Sequence, residues 1–206
     1  KSFFSKKYIL IIAHLIAGLV IIHANLYANE SEKIENSISI GKDDSPVKIK
    51  IYSSLTCPHC ANFHINVFPK INEKYVKTGK VKVIFIDFPL DLAALNASKI
   101  LNCVEKNKQM ITMDLIYEKQ DQWTDGSTIE EINKNLKEIL TTSGINSEAI
   151  DKCLVDENIE NKVLNARIKG QKKYSISSTP TIIINEKKFD GSISFENIEK
   201  EIKKNI

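Results

Sequence analysis

The sequence predicts an α/β fold in which a sheet is split by a helical insertion, and three observations carry that expectation. Two strand-like stretches, residues 47–52 and 81–86, flank one long helix; the run from residue 91 to 174 reads helical throughout; strand patterns then return at residues 181–184 and 187–189. At 206 residues the chain is long enough for one domain, or one domain carrying a large insertion, and can bury a core without leaning on disulfides.

The first 28 residues differ from the rest. Lys1, Lys6 and Lys7 precede an apolar run over residues 8–22, and small and polar residues follow at 24–29. That pattern reads as a signal peptide, with cleavage expected after Ala28. A retained membrane anchor is the alternative, although the run is short of the roughly 20 residues a bilayer span needs. Removing residues 1–28 takes three lysines and no acids, so 29 basic and 26 acidic side chains become 26 and 26. The remaining lysines are interleaved with Asp, Glu and Asn, which argues against a nucleic-acid partner. Residues 29–46 are polar, lack periodicity and end at Lys42-Asp43-Asp44-Ser45-Pro46, so they are expected to form an extended lead-in.

Residues 47–52 alternate apolar and polar side chains and are rich in strand formers. A helix should start near Cys57, because Pro58 suits a first turn where its missing N–H costs nothing, and should run to about Lys77 with a kink at Pro69. With the strand at residues 81–86 it makes a βαβ crossover, which implies parallel pairing and right-handed topology. Turn signals at Asp125-Gly126-Ser127 and Thr142-Ser143-Gly144 divide the helical stretch. Asn185-Glu186 joins the last two strands, and an amphipathic helix at residues 195–202 closes the fold.

Cys57-Pro58-His59-Cys60 lies at the strand-to-helix turn. A sulfur at a helix start sits over unpaired N–H groups and the positive end of the dipole, which favours thiolate over thiol, so Cys57 is the expected nucleophile. One turn on, Cys60 can attack a mixed disulfide and is the expected resolving thiol. Pro58 and His59 tune the pair, since an imidazole beside the sulfur can donate a hydrogen bond or offer positive charge. About 30 mV corresponds to roughly 1.4 kcal/mol for a two-electron couple, so a few such contacts move the pair toward an oxidant. A c-type haem site would need His where Ala61 stands. Zinc on Cys57, Cys60 and His64 lacks a fourth ligand at finger-like spacing. Neither metal nor any other cofactor is expected, and His64 reads as a surface or packing histidine. Asp87 reads as an exposed strand-end carboxylate, with a buried proton acceptor for Cys60 as the alternative.

In an exported chain the two remaining cysteines, Cys103 and Cys153, are best read as one structural disulfide, which would stabilise by about 4 kcal/mol for such a loop. Two buried thiols or a second redox pair are the other readings. Thr179-Pro180-Thr181 precedes an apolar strand, and Pro180, unable to donate to the sheet, must sit at a strand start or a special turn.

Cys57-Pro58-His59-Cys60 after one strand, Asp87-Phe88-Pro89-Leu90 after the next and Thr179-Pro180-Thr181 before a third resemble the DsbA-type thioredoxin family over about residues 46–204. Cys103 and Cys153 look like the branch with a second disulfide. The resemblance implies a thioredoxin fold, residues 47–90 and 175–206, with an inserted helical domain over residues 91–174. It implies Cys57 as the exposed nucleophile, Pro180 as a cis-proline facing it, and Thr179 pairing with substrate backbone. Thr179 stands where some members have an apolar residue, a departure that bears on oxidising power. The function implied is an exported, periplasmic thiol:disulfide oxidase acting on reduced, unfolded exported proteins and reset by a DsbB-like, quinone-linked membrane partner. The alternatives are an isomerase or reductase, or a chaperone-like binding module for which redox chemistry is secondary.

Overall fold

The computed structural model describes residues 37–206, so the expected signal peptide at residues 1–28 and the start of the lead-in lie outside the described residues. A five-stranded mixed sheet, ordered β1-β3-β2-β4-β5, forms the centre. Its strands are β1 (Ile38–Ile40), β2 (Val47–Ser53), β3 (Val81–Asp87), β4 (Thr181–Ile184) and β5 (Lys187–Lys188). Only β2 and β3 run parallel, with Val47 opposite Val81 and Ser53 opposite Asp87; the other pairs are antiparallel. Parallel pairing requires a crossover, and helix α1 supplies it.

Helix α1 occupies residues 58–76 and alternates two ordinary α segments, Pro58–Asn62 and Phe68–Ile71, with two wider π turns, Phe63–Val67 and Asn72–Val76. Pro69 sits in the first turn of the second α segment. It lacks the N–H that an uninterrupted ladder would use, and the π turn just before it absorbs that loss where a kink was expected. Phe63, Val67, Phe68 and Ile71 are buried from this helix, and Val83 and Phe85 from β3.

Strand β1 is a departure from the sequence expectation, which placed these residues in an extended lead-in. Three residues are too few for an alternating pattern to stand out, and the unpaired edge of β3 supplies the partner. Gly41 makes the turn that follows, at φ +108°, where a Cβ would lie 2.5 Å from the Val81 carbonyl oxygen.

Between β3 and β4 the chain forms α2 (Leu92–Cys103), α3 (Lys106–Glu118), α4 (Gln120–Trp123), α5 (Ile129–Thr142), α6 (Ser147–Leu154) and α7 (Glu157–Tyr174). Side chains cap four of them: Asp91 accepts from Ala94 N–H, Thr128 from Glu131, Asn146 from Ala149, and Asp156 from Asn158 and Ile159. Helix α3 packs on the first π turn of α1, and α7 packs on β3. Gly170 permits the approach of α7 to the sheet, since a Cβ there would lie 2.4 Å from the Tyr52 ring. Helix α8 (Phe195–Lys204), capped by Ser194, covers α1 near its second α segment.

Candidate active site

The chain turns from β2 into α1 through Ser54-Leu55-Thr56-Cys57. Cys57 is the residue before the helix, in extended backbone, and Pro58 takes the first helical position. The Cys57 carbonyl accepts from the N–H groups of Cys60 at 3.0 Å and Ala61 at 3.1 Å, which fixes the first turn and places the second sulfur on the inner side. Cys60 is 1% exposed and Cys57 8%; both are free thiols. Pro58 and His59 are exposed on the outer side of that turn.

Cys57 is therefore less open than an exposed nucleophile would be. The loop before β4 covers it: the Thr179–Pro180 peptide is cis, and the Cys57 thiol donates to the Thr179 carbonyl at 3.4 Å. Burial pushes the Cys60 thiol up to about 12, offset in part by the Thr179 side chain and the Ser54 backbone. The Thr179 hydroxyl itself is buried and forms no well-directed hydrogen bond.

Several contacts that the sequence reading missed hold this turn. The Gln120 side-chain amide, from α4, donates to the carbonyls of Leu55 at 2.7 Å and Cys57 at 3.3 Å. Thr56 donates to Asp91 at 2.6 Å, and the Leu90 N–H donates to Ser54 Oγ at 3.3 Å, tying the loop after β3 to the loop before Cys57. After β3, Leu90 in the loop and Leu92 at the start of α2 are both exposed. An isolated glutamine in a polar helix carries no pattern that marks it, because its partners are backbone carbonyls more than sixty residues away.

His64 is a packing histidine, 4% exposed. Its ring lies 5.5 Å from Phe68 and Phe85 and 4.8 Å from Tyr117, and its Nε2 meets Asp114 Oδ1 at 2.6 Å. Asp87 differs from the expectation of an exposed carboxylate. It is partly buried, its Oδ2 accepts from Asn102 at 2.8 Å, and burial raises its pKa against the opposing effect of Asn102 and Ser98. The physical reason is α2, which folds back over the end of β3.

Cys103, the last residue of α2, is joined to Cys153 of α6 with a Cα–Cα distance of 5.8 Å. Among the described residues no group of three or more His, Cys, Asp or Glu side chains is arranged to hold a metal, and no helix is long and apolar enough to cross a membrane.

A free dithiol at a helix start, facing a cis-proline in a thioredoxin fold with inserted helices, defines the class of thiol:disulfide oxidoreductases. The chain belongs to the thioredoxin family, whose profile, described as Thioredoxin, matches residues 33–204, and within it to the DsbA-type proteins. The crystal structure of alpha-DsbA1 from Wolbachia pipientis is similar at a TM-score of 0.73 and 31% identity, over 83% of this chain and 91% of that one. A Bacillus anthracis relative, provisionally named disulfide bond formation protein D, is 29% identical over 93% of this chain and 92% of its own length. A Rickettsia bellii relative, provisionally named protein-disulfide oxidoreductase, is 30% identical over 73% of this chain; the match spans 58% of that relative's length.

Proposed function

We propose that this chain is an exported thiol:disulfide oxidase that introduces disulfides into reduced, unfolded proteins through Cys57 and Cys60. The observation that carries the reading is the asymmetry of the pair. The Cys57 sulfur reaches the edge of the surface against the Thr179 carbonyl, whereas Cys60 lies one turn deeper and nearly sealed.

The cycle follows from that asymmetry. A substrate thiolate attacks Cys57 in the Cys57–Cys60 disulfide; the new S–S bond joins substrate to Cys57, and Cys60 leaves with the electron pair and takes up a proton. A second substrate thiolate then attacks the substrate sulfur of the mixed disulfide, which frees Cys57 and releases an oxidised substrate. Two electrons have passed to the dithiol, the form described here. The backbone of Thr179 beside Pro180 offers an extended substrate segment a pairing edge. Leu90 and Leu92 offer it apolar surface, which suits unfolded chains better than folded ones. His59, exposed next to Cys57, supplies the tuning group, and the Cys103–Cys153 bond is structural. Reoxidation falls to a quinone-linked membrane partner, and residues 1–28 direct export to the periplasm.

Equilibrating the purified protein with a glutathione redox buffer, with thiol trapping, tests the direction of flow. A potential well above that of the glutathione couple is expected. A value near the roughly −270 mV of a thioredoxin-type reductant overturns the oxidase reading. Cys57→Ser should abolish exchange; a variant that still keeps an unfolded client from aggregating, as the parent does, would favour the binding-module reading.

A further inference from the structure

The two-residue turn between β4 and β5 holds a side chain out of keeping with its backbone. Asn185 and Glu186 stand at φ +44° and +67°, a left-handed pair that asparagine followed by glycine satisfies at least cost. Glutamate at the second position is strained, and strain of that kind points to a role for the side chain.

The Glu186 carboxylate gathers donors from two other elements. One oxygen takes the Lys50 ammonium from the middle of β2; the other takes the Tyr174 hydroxyl at 2.5 Å and the Lys173 ammonium at 2.8 Å, both from the last turn of α7. Lys50 also donates to the Tyr174 hydroxyl at 3.2 Å, and its side chain is only 10% exposed, so the knot is buried on the side of β2. The turn itself is docked on the sheet. The Asn185 N–H donates to the Lys48 carbonyl at 3.0 Å, the Lys48 N–H donates to Asn185 Oδ1 at 2.8 Å, and the Asn185 amide donates to the Pro46 carbonyl at 3.3 Å. Glu186 is thereby held against β2, and the end of α7 is what it catches.

Position in the chain gives this knot its consequence. Tyr174 ends α7, and residues 175–180 run from it to the start of β4. The segment that finishes in Thr179–Pro180 is therefore tied at one end through Tyr174 and at the other through β4, with Glu186 just past that strand. Tyr174 also packs 5.9 Å from Tyr52, and Tyr52 stands opposite Thr181, the residue after Pro180, in the sheet. Within the segment Ile176 is buried, and the Thr181 hydroxyl donates to the Ser178 carbonyl at 2.7 Å. Little of it is free to absorb a shift of Tyr174, so such a shift passes on to Thr179, whose carbonyl meets the Cys57 thiol.

We propose that Glu186 is a positioning residue for client binding: through Tyr174 it fixes the seat of residues 175–180 and holds the Thr179 backbone edge where an extended client segment pairs. Glu186 touches neither thiol nor client. The proposal rests on Cys57–Cys60 being the exchanging pair with Thr179 as the pairing edge beside it. Glutathione brings little more than its sulfur to Cys57 and makes small use of that edge. A longer segment gains binding energy along it, and binding remote from the reacting sulfurs raises kcat/KM.

The test compares two substrates in the full chain: reduced glutathione, and a short unstructured peptide carrying two cysteines, each reducing the Cys57–Cys60 disulfide. Glu186→Gly cuts the knot while giving the turn the residue its backbone suits, so this variant is expected to fold; Tyr174→Phe removes the hydroxyl alone. In both, kcat/KM for the peptide should fall about fivefold or more while the rate constant with glutathione stays within about twofold of the parent. Glu186→Gln, which keeps an oxygen acceptor for Tyr174, should restore part of the peptide rate. Peptide rates equal to the parent's in Glu186→Gly and Tyr174→Phe overturn the proposal. So does a loss that falls equally on glutathione and peptide, which marks general loosening of the fold. A parent protein that exchanges with neither substrate sinks the oxidoreductase function itself, which is a different outcome.

Discussion

At the scale of single residues, the division of labour between the two thiols makes a sharp expectation. Cys60→Ser in the presence of oxidised glutathione should accumulate a Cys57–glutathione adduct that persists on mass analysis, whereas the parent resolves it; failure to trap the adduct would mean Cys57 is not the attacking sulfur. Away from the site, Lys50 is almost buried in the middle of β2, with its amine on Glu186 and on the Tyr174 hydroxyl. Burial pushes the Glu186 carboxyl up, but hydrogen bonds from Lys173, Lys50 and Tyr174 outweigh that and hold it at about 2. Its folded value lies below the ordinary 4.5, so its contribution is complete above that pH and is lost as pH falls toward 2. Glu186→Gln should cost about 1 kcal/mol at neutral pH, a small figure because the carboxylate is half exposed and screened, with the difference vanishing in strong acid. Urea unfolding at several pH values, followed by the fluorescence of the single, fully buried Trp123, reads this directly.

At the scale of elements, the longest periodic segments are the ones the sequence reveals. Strands β2, β3 and β4 show because they are rich in Ile and Val, alternating with lysine at the start of β2 and β3, between turn residues, and the start of α1 shows because Pro58 suits a first helical turn. Strand β1 and the π turns do not show: the first is defined by the free edge it meets, the second by how Pro69 is accommodated. The seating of α7 was equally hidden, since nothing in the sequence around Gly170 says that Tyr52 will lie against it. Gly170→Ala should destabilise the protein by about 1–3 kcal/mol, because a packed helix or ring must shift. It should also slow disulfide exchange, since α7 leads into the loop carrying Thr179. Replacing Cys103 and Cys153 together by alanine should lower stability by up to about 4 kcal/mol in denaturant titrations, while exchange with glutathione through Cys57 survives.

At the scale of the whole molecule, the dithiol and the proline before β4 could be read from local motifs, but the grip on them could not. Gln120 shows why: its amide satisfies two carbonyls of the loop before Cys57, a relation between segments that only the folded chain brings together. Gln120→Ala should cost about 1–3 kcal/mol by orphaning those carbonyls and should reduce the exchange rate in a glutathione assay, whereas a purely peripheral helix would leave that rate untouched. Asp87 is the same lesson in another place, a strand-end carboxylate whose burial depends on where α2 returns. The reach of these contacts also sets an order of events in the life of the chain. The Gln120 contact with Cys57 spans 63 residues and the Thr179 contact spans 122. During synthesis Cys57 and Cys60 leave the ribosome well ahead of both, so the nascent chain carries two ordinary thiols. The redox centre comes into being only when the last strands arrive.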